Sequence, residues 1–375
     1  MKILIIRTFP SILDPNGYNI QEIVFAKALV RCGVLCDVIL YNGKNADREE
    51  IIEVRDGEKT IGTVKVFLRH GFGILKNGFF PGLDRIVKDY DLLQVHEYDQ
   101  ISSWKYYAWY KKKPVVIYHG PYFDEFNKGY NFKCRVFDNL FLRLKHNRDT
   151  LCFTKSRAAA KFLNSKGFKR TVPIGVGLNT DNFSGGAVVK AEGKDTWDMV
   201  YIGKIEPRRN SMLLLDIIEE VHRKQSNIHM TVVGTGEKEY FDAWYEKAKP
   251  LIESGVLSYI DKMEQSRLKG LYATSDVMVF PSNYEIFGMV LLEAMYFDLP
   301  VISSDNGGSD TLIENGKNGI VVDSFNRDTW VDAILELYND RDKYNEIKRA
   351  LVETDHSTYT WDGIARKYLR ELGLN

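Results

Sequence analysis

The chain has no excess of either charge: its 51 Lys and Arg balance 51 Asp and Glu. No global field therefore draws it to nucleic acid, and no nucleic-acid partner is expected. Cysteine is scarce. Only Cys32, Cys36, Cys134 and Cys152 occur in 375 residues, without the paired C-x2-C spacing of a zinc site. They read as reduced thiols of a cytoplasmic protein, and Cys32-x3-Cys36 reads as core packing. No apolar run reaches the roughly eighteen residues needed to span a bilayer. The opening MKILIIRTFP is too short for a signal-peptide core and reads as a first buried strand. No G-x-G-x-x-G follows that strand, and Gly234-Thr-Gly-Glu-Lys-Glu lacks the third glycine. A dehydrogenase is disfavoured on both counts. No repeat of solenoid length is present.

What is there is an alternation of strands and helices. At 375 residues, 44% hydrophobic and 27% charged, the chain suits two ordinary globular domains. In the first half, strand-like runs fall at Lys2–Ile6, Cys36–Tyr41, Val64–Leu68, Leu92–His96, Pro114–Tyr118 and Leu151–Thr154. An amphipathic helix is expected over Gln21–Arg31, with Ile23, Val24, Ala26, Ala28 and Leu29 on its apolar side. Buried strands that alternate with helices imply a parallel sheet. The pattern restarts near Trp197, with strands expected at Asp198–Ile202, His229–Val233, Leu257–Ile260, Val277–Phe280, Pro300–Ser303 and Gly319–Val322. The expected domains are therefore 1–172, a glycine-containing linker 173–193, a second α/β domain 194–355 and a final amphipathic helix within 356–375.

Residues 281–293 read Pro-Ser-Asn-Tyr-Glu-Ile-Phe-Gly-Met-Val-Leu-Leu-Glu. A strand ends at Phe280, a loop carries Glu285 and Gly288, and a helix begins. A helix start offers free backbone N–H groups and the positive end of a dipole, and glycine lets a ligand approach the backbone. A phosphate fits there. Glu293 is the odd residue, because its helical neighbours are Met289, Val290, Tyr296 and Phe297. A carboxylate on such a face needs a fixed partner. Two sugar hydroxyls would serve, and so would an Arg or Lys of the same domain.

Glu285 and Glu293 form an E-x7-E pair, and the pair is followed by Leu299-Pro-Val-Ile-Ser, Gly307-Gly-Ser-Asp and Glu314-Asn-Gly-Lys-Asn-Gly. Together these segments resemble the donor site of the family 4 retaining glycosyltransferases (glycosyl transferases group 1). The likeness runs over nearly the whole chain. Tyr201-Ile-Gly-Lys-Ile-Glu-Pro-Arg-Arg-Asn resembles the family's diphosphate-binding segment, with Lys204 and Arg209 as its cations; composition alone would make it a solvated basic turn. Asn210 stands where the family usually has glycine. Asp14-Pro-Asn-Gly-Tyr-Asn resembles the glycine-rich loop near the donor phosphate, with Gly17 alone where two glycines are usual. Val116-Ile-Tyr-His-Gly-Pro resembles the strand-end histidine near the donor sugar, here His119; a lone histidine there is otherwise structural. Residues 174–183 resemble the interdomain crossover, and Tyr359-Thr-Trp-Asp the start of the last helix.

The resemblance implies an α/β chain of the GT-B type: two Rossmann-like domains facing across a cleft, an N-terminal acceptor domain and a C-terminal donor domain, with the last helix returning to the first. It implies transfer of a hexose-type sugar, with retention, from a nucleotide diphosphate-sugar (UDP favoured) to a hydroxyl of a glycan or lipid-linked glycan. Glu285 would orient the sugar with the backbone around Phe287, Gly288, Met289 and Val290, and Glu293 would hold the ribose. Lys204 and Arg209 would neutralise the diphosphate in place of a metal, so no metal and no cofactor is expected. The base would lie near Asp261–Met263, with Met263 against it. Asp340-Arg341-Asp342 reads as a solvated turn between late helices.

Residues 102–150 hold ten Lys and Arg against four Asp and Glu. Within 128–148, Phe132, Val136, Phe137, Leu140, Phe141 and Leu144 alternate with basic residues. That suits a helix lying on an anionic bilayer at the inner face of the membrane, near a lipid-linked acceptor. It equally suits a core helix with a basic outer face. Two further readings stay open: a sugar-nucleotide epimerase or phosphorylase of the same fold, and a non-catalytic two-lobed sugar-binding protein.

Overall fold

The computed structural model describes residues 1–17, 20–74, 76–183 and 195–374. It divides into two compact units, Met1–Asn179 with Ser357–Asn375, and Thr180–His356. Strands are numbered in chain order.

In the first unit these are β1 (Lys2–Ile6), β2 (Leu35–Tyr41), β3 (Arg48–Asp56), β4 (Lys59–Arg69), β5 (Phe72–Ile74), β6 (Asn77–Phe79), β7 (Leu92–His96), β8 (Val115–His119), β9 (Leu151–Thr154) and β10 (Arg170–Pro173). Eight form one sheet in the order β10-β9-β8-β7-β1-β2-β4-β3. Every pairing is parallel except β3–β4. The interior strands β1, β2, β7, β8 and β9 are apolar and buried nearly throughout, as strands covered on both faces must be.

The sheet is thus not wholly parallel. β3 and β4 form a hairpin at the edge, and only Val54 of β3 is buried. Its Arg and Glu residues face water, which protects a free edge from pairing. The helix Gln21–Arg31 buries Phe25 and Val30 beyond the expected stripe, while Val24 is half-exposed. The reason lies in the C-terminal helix Trp361–Glu371, which belongs to this unit. Phe25 packs on Trp361 and Tyr368, ring centroids 5.5 and 5.2 Å away, and Arg31 pairs with Asp362 at 2.6 Å.

The segment expected to open the linker at residue 173 is instead part of this unit. Pro173 closes β10, and Ile174, Val176 and Leu178 are buried. Leu178 bridges to Thr360. Thr180–Phe183 forms a short 3-10 turn assigned to the second unit, and 184–193 lies outside the described residues.

The second unit contains β11 (Trp197–Ile202), β12 (Ile228–Val233), β13 (Leu257–Ile260), β14 (Val277–Phe280), β15 (Val301–Ser304) and β16 (Ile320–Val322). They form one parallel sheet, ordered β13-β12-β11-β14-β15-β16. Connections run outward from β11 to one side, then cross to β14 on the other. In such sheets a crevice opens at the carboxyl ends of the two strands flanking the reversal. Here those are β11 and β14, so the loops starting at Gly203 and Pro281 meet although about eighty residues separate them. In the first unit the reversal lies between β1 and β7.

Candidate active site

The loop after β11 turns through Pro207–Arg209 and Asn210, whose φ is +50°. Asn210 takes the left-handed conformation that asparagine tolerates better than most residues. This is how the loop manages without glycine at that position. The turn aims two guanidinium groups at the loop after β14. Arg209 Nη2 lies 3.2 Å from Glu285 Oε1 and its Nε 3.4 Å from Glu206 Oε1. Arg208 lies 3.3 Å from Glu285 Oε1 and 2.6 Å from Glu206, and donates to the carbonyl of Tyr284. Ser282 Oγ donates to Glu285 at 2.9 Å. Arg209 also lies over the Phe280 ring, 5.4 Å from its centroid. Gly203 leaves the room that the guanidinium occupies, since a Cβ there would sit 2.2 Å from Arg209 Nη1 and push it aside. Two arginines and two carboxylates thus hold one another at the switch point, and Glu285 is buried.

Sequence reasoning singled out Arg209 but passed over Arg208 and Glu206. The dipeptide Arg208-Arg209 was the available signal, since both residues of a tight turn can reach one neighbour.

The helix Met289–Tyr296 starts at Gly288, whose φ is +74°. A side chain there would be strained and would press Leu291 at 3.0 Å. No side chain caps this helix. Leu291 and Leu292 N–H both reach Gly288 O, at 2.9 and 3.2 Å. The amides of Met289 and Val290 precede any intrahelical acceptor, which suits an anion. The loop is backed by a buried network. Asn306 Nδ2 and Ser304 Oγ donate to Ser282 O at 3.1 and 2.6 Å. Phe287 is buried beside Gly308, where a Cβ would meet Phe287 O at 2.5 Å.

Glu293, on the next turn of that helix, is 7% exposed. Its partners are neutral rather than the Arg or Lys weighed above. Tyr272 Oη donates at 2.7 Å and Gln265 Nε2 at 3.2 Å. Burial pushes its carboxyl pKa up to about 7, and these two hydrogen bonds pull the other way. Lys204 and Met263 line a cavity of about 570 Å³ at the ends of β11, β12 and β13 with Asp261 and Lys262, and this cavity shares Gly203 and Glu206 with the cluster.

Gly17 and His119 belong to the first unit. Gly17 closes a turn through its N–H to Asp14 O at 2.8 Å; Tyr18 and Asn19 beyond it lie outside the described residues. His119 ends β8 and is fully buried, its Nδ1 in contact with Glu97 Oε2. Burial drives the Glu97 carboxyl up, but the charge and hydrogen bond of His119, with Lys155 and His96 beyond, together outweigh it and leave the pKa below its ordinary value. Glu97, Asp99 and His119 offer atoms within 4.8 Å of one another and could hold a metal ion. The Lys133 ammonium already stands 2.8 Å from Asp99 Oδ2. The four cysteines are free, Cys36, Cys134 and Cys152 of them buried.

Residues 188–352 match the glycosyl transferases group 1 family. The match lies within the second unit and is a likeness of that part of the chain. Similarity to curated relatives is distant. Over 228 residues the chain is 25% identical to a GDP-mannose-dependent alpha-(1-6)-phosphatidylinositol monomannoside mannosyltransferase of Mycobacterium tuberculosis, covering 57% of this chain and 58% of that one. Over 175 residues it is 26% identical to a D-inositol 3-phosphate glycosyltransferase of Paenarthrobacter aurescens, covering 46% and 42%. The chain therefore spans about half of the length of these relatives.

Solved structures match along its full length. The crystal structure of Anabaena HepE in complex with UDP has a TM-score of 0.70 at 17% identity and covers 100% of both chains. The apo lipopolysaccharide outer core galactosyltransferase WaaB has 0.66 at 16%, covering 100% and 99%. At that identity the likeness speaks to fold, which is the α/β GT-B type with two Rossmann-like units.

Proposed function

We propose that this chain is a retaining, metal-independent glycosyltransferase of the hexosyl type. It takes a nucleotide diphosphate-sugar as donor and a hydroxyl of a glycan or lipid-linked glycan as acceptor, in polysaccharide or glycolipid assembly. The observation that carries the reading is the arginine–glutamate cluster at the β11/β14 switch point beside an uncapped helix start. Arg208 and Arg209 lie within reach of a diphosphate, and the amides of Met289 and Val290 add fixed partial positive charge. The bond from the sugar's anomeric carbon to the diphosphate breaks, and the acceptor oxygen bonds that carbon from the same face. The acceptor proton passes to the departing diphosphate. Lys204 and the two arginines offset the charge that grows on it, Glu285 holds the sugar, Glu293 the ribose, and the base occupies the cavity beside Met263. Gly17 and His119 keep the roles the family resemblance gives them. UDP is favoured because HepE is seen with UDP; the mycobacterial relative named for GDP-mannose makes GDP the competitor.

The test is a thermal-shift panel of UDP, GDP and ADP with their sugars, with and without EDTA. One nucleotide should raise the melting temperature and EDTA should change nothing. No response to any nucleotide would defeat the donor reading; a response abolished by EDTA would defeat metal independence.

Membrane contact is the second part of the proposal, with the chain at the cytoplasmic face. The helix Lys128–Phe137 continues through a π turn, Asp138–Leu142. Residues four apart drift about 40° around an α-helix, and the wider π turn takes up that drift. Phe132, Val136, Leu140 and Leu144 stay outward, 70%, 41%, 62% and 67% exposed. Phe137 and Leu142 turn inward and are buried. Lys128, Arg135 and Arg143 are exposed beside the stripe, the pattern of an interfacial helix. No described helix is long and apolar enough to cross a membrane. Sedimentation with phosphatidylglycerol vesicles should capture the protein at low salt and release it at high salt; no binding at low salt removes this part.

A further inference from the structure

The eight-stranded sheet of the first unit ends in β3, and no described strand pairs with its outer side. Arg48–Asp56 therefore presents a row of backbone N–H and C=O groups to solvent. The bulge in the hairpin falls on the other strand. Val54 faces Gly62 and Arg55 faces Thr60, so Ile61 is the extra residue and β3 itself stays regular. A regular, unpaired edge of this length can accept another strand.

Its side chains decide which strand it accepts. They run Arg-Glu-Glu-Ile-Ile-Glu-Val-Arg-Asp from residue 48 to 56. Like charges directly opposite one another destabilise a strand pair. A parallel, in-register copy of β3 would set every charge against itself. Among antiparallel registers, those one residue from end-to-end alignment oppose Arg48 to Arg55 or Glu49 to Asp56. Those two residues away oppose Glu49 to Glu53 or Glu50 to Asp56. End-to-end alignment has no like-charge pair. It sets Arg48 opposite Asp56 and Glu49 opposite Arg55, and symmetry repeats both pairs. Ile52 then lies on the two-fold axis, opposite its own copy. Ile51, 68% exposed, meets its copy on the diagonal. The result is an apolar centre with ion pairs at both ends.

The charged groups are free to make these contacts. Arg48 and Arg55 pair within the strand with Glu50 and Glu53, and Glu49 pairs with Lys65, but all three remain more than half exposed. Such pairs hold little energy, and a guanidinium has five donors with which to serve a second carboxylate.

We propose that β3 is the contact through which two copies of this chain form a symmetric dimer, their edges paired antiparallel about Ile52 into one continuous sheet. A contact in which one residue meets a second, and the second meets the first, closes on a two-fold axis, so assembly stops at two. The charges that bar this edge from other strands are the ones that specify its own copy. The inference makes no use of the donor site and stands or falls apart from the glycosyltransferase reading.

Sedimentation equilibrium of the full chain at micromolar concentration should give twice its 43.2 kDa. Glu49→Arg or Arg55→Glu alone should raise the dissociation constant about tenfold or more, because each turns two attractive cross-strand pairs into repulsive ones. Both changes together should return it to within about threefold of wild type, because the opposed charges again differ in sign. Cross-linking tests the register. On a Cys32→Ser background, which leaves only buried thiols, Ile52→Cys should form a disulfide-linked dimer on mild oxidation, since opposed residues of an antiparallel pair lie within disulfide range. Leu35→Cys, exposed at the start of β2, should not. A monomer at these concentrations, a dimer that neither charge reversal weakens, or a double variant no tighter than the single ones overturns the inference. Cross-linking at residue 35 and not at 52 overturns it too.

Discussion

Replacing Glu293 by glutamine is expected to stabilise the unliganded protein at pH 8 by up to about 3 kcal/mol and at the same time to weaken its hold on the nucleotide. The carboxyl has an ordinary value of 4.5 and is pushed to about 7, first by burial. The folded chain therefore keeps this proton more tightly than the unfolded chain does. Below pH 4.5 both states are protonated and no penalty exists. As pH rises from 4.5 to 7 the unfolded carboxyl ionises first, and stability falls. Above 7 the penalty is complete. Glutamine has no proton to lose and still accepts from Tyr272 Oη. Urea denaturation of the two proteins should thus differ little near pH 4.5 and most at pH 8. An equal difference at both values would rule out the linkage. A residue that costs stability in the empty protein is expected to be repaid in the occupied one. Two ribose hydroxyls donating to the carboxylate would do this, because they favour the charged form. Both Glu293→Gln and Glu293→Ala should therefore lose most of the nucleotide's thermal shift; an unchanged shift would refute the ribose role.

The expectations that succeeded were those in which a physical constraint leaves a mark on adjacent residues. Ile3–Ile6 and Val277–Phe280 are buried on both faces, so their apolar runs could be read to the residue. The loop around Gly288 was legible because the end of an apolar strand, a glycine and an apolar helical run stand close together in the sequence. The hairpin β3–β4 was not fully seen, since an edge strand such as Arg48–Asp56 is selected for charge and exposure and so resembles a loop. The linker was placed too early because Gly175 and Gly177 mask Ile174, Val176 and Leu178, whose burial depends on contacts about 180 residues away. The partners of Glu293 were missed for the same reason. Tyr272 and Gln265 lie on another helix, and no spacing within one element marks a hydrogen bond between two. The extra guanidinium of Arg208 depends on the turn geometry of Pro207–Arg209, for which the Arg208-Arg209 dipeptide was the one mark in the sequence.

Arg209→Ala is expected to lower the rate of nucleotide release from the nucleotide-sugar, measured as kcat/KM, by about 10² to 10³. That corresponds to roughly 3 to 4 kcal/mol of transition-state stabilisation. The expectation follows from how the side chain is held. Its guanidinium is fixed by Glu285, by Glu206, by the Phe280 ring and by the flat surface that Gly203 leaves open. A cation fixed before the reaction needs no reorganisation when charge builds on the leaving diphosphate. Arg208 is paired with the same two carboxylates, so Glu285 keeps a cationic neighbour and Ser282 when Arg209 is removed. The fold should therefore survive, and circular dichroism with thermal melting would verify it. Arg209→Lys should restore little, because a compact ammonium cannot make the planar, multi-pronged contacts of a guanidinium. Combining Arg209→Ala with Glu285→Gln should cost less than the two single losses together, since the residues share one contact. If Arg209→Ala retained activity within about threefold of wild type, or if the two losses simply added, the arginine–glutamate cluster would not be the site of diphosphate departure.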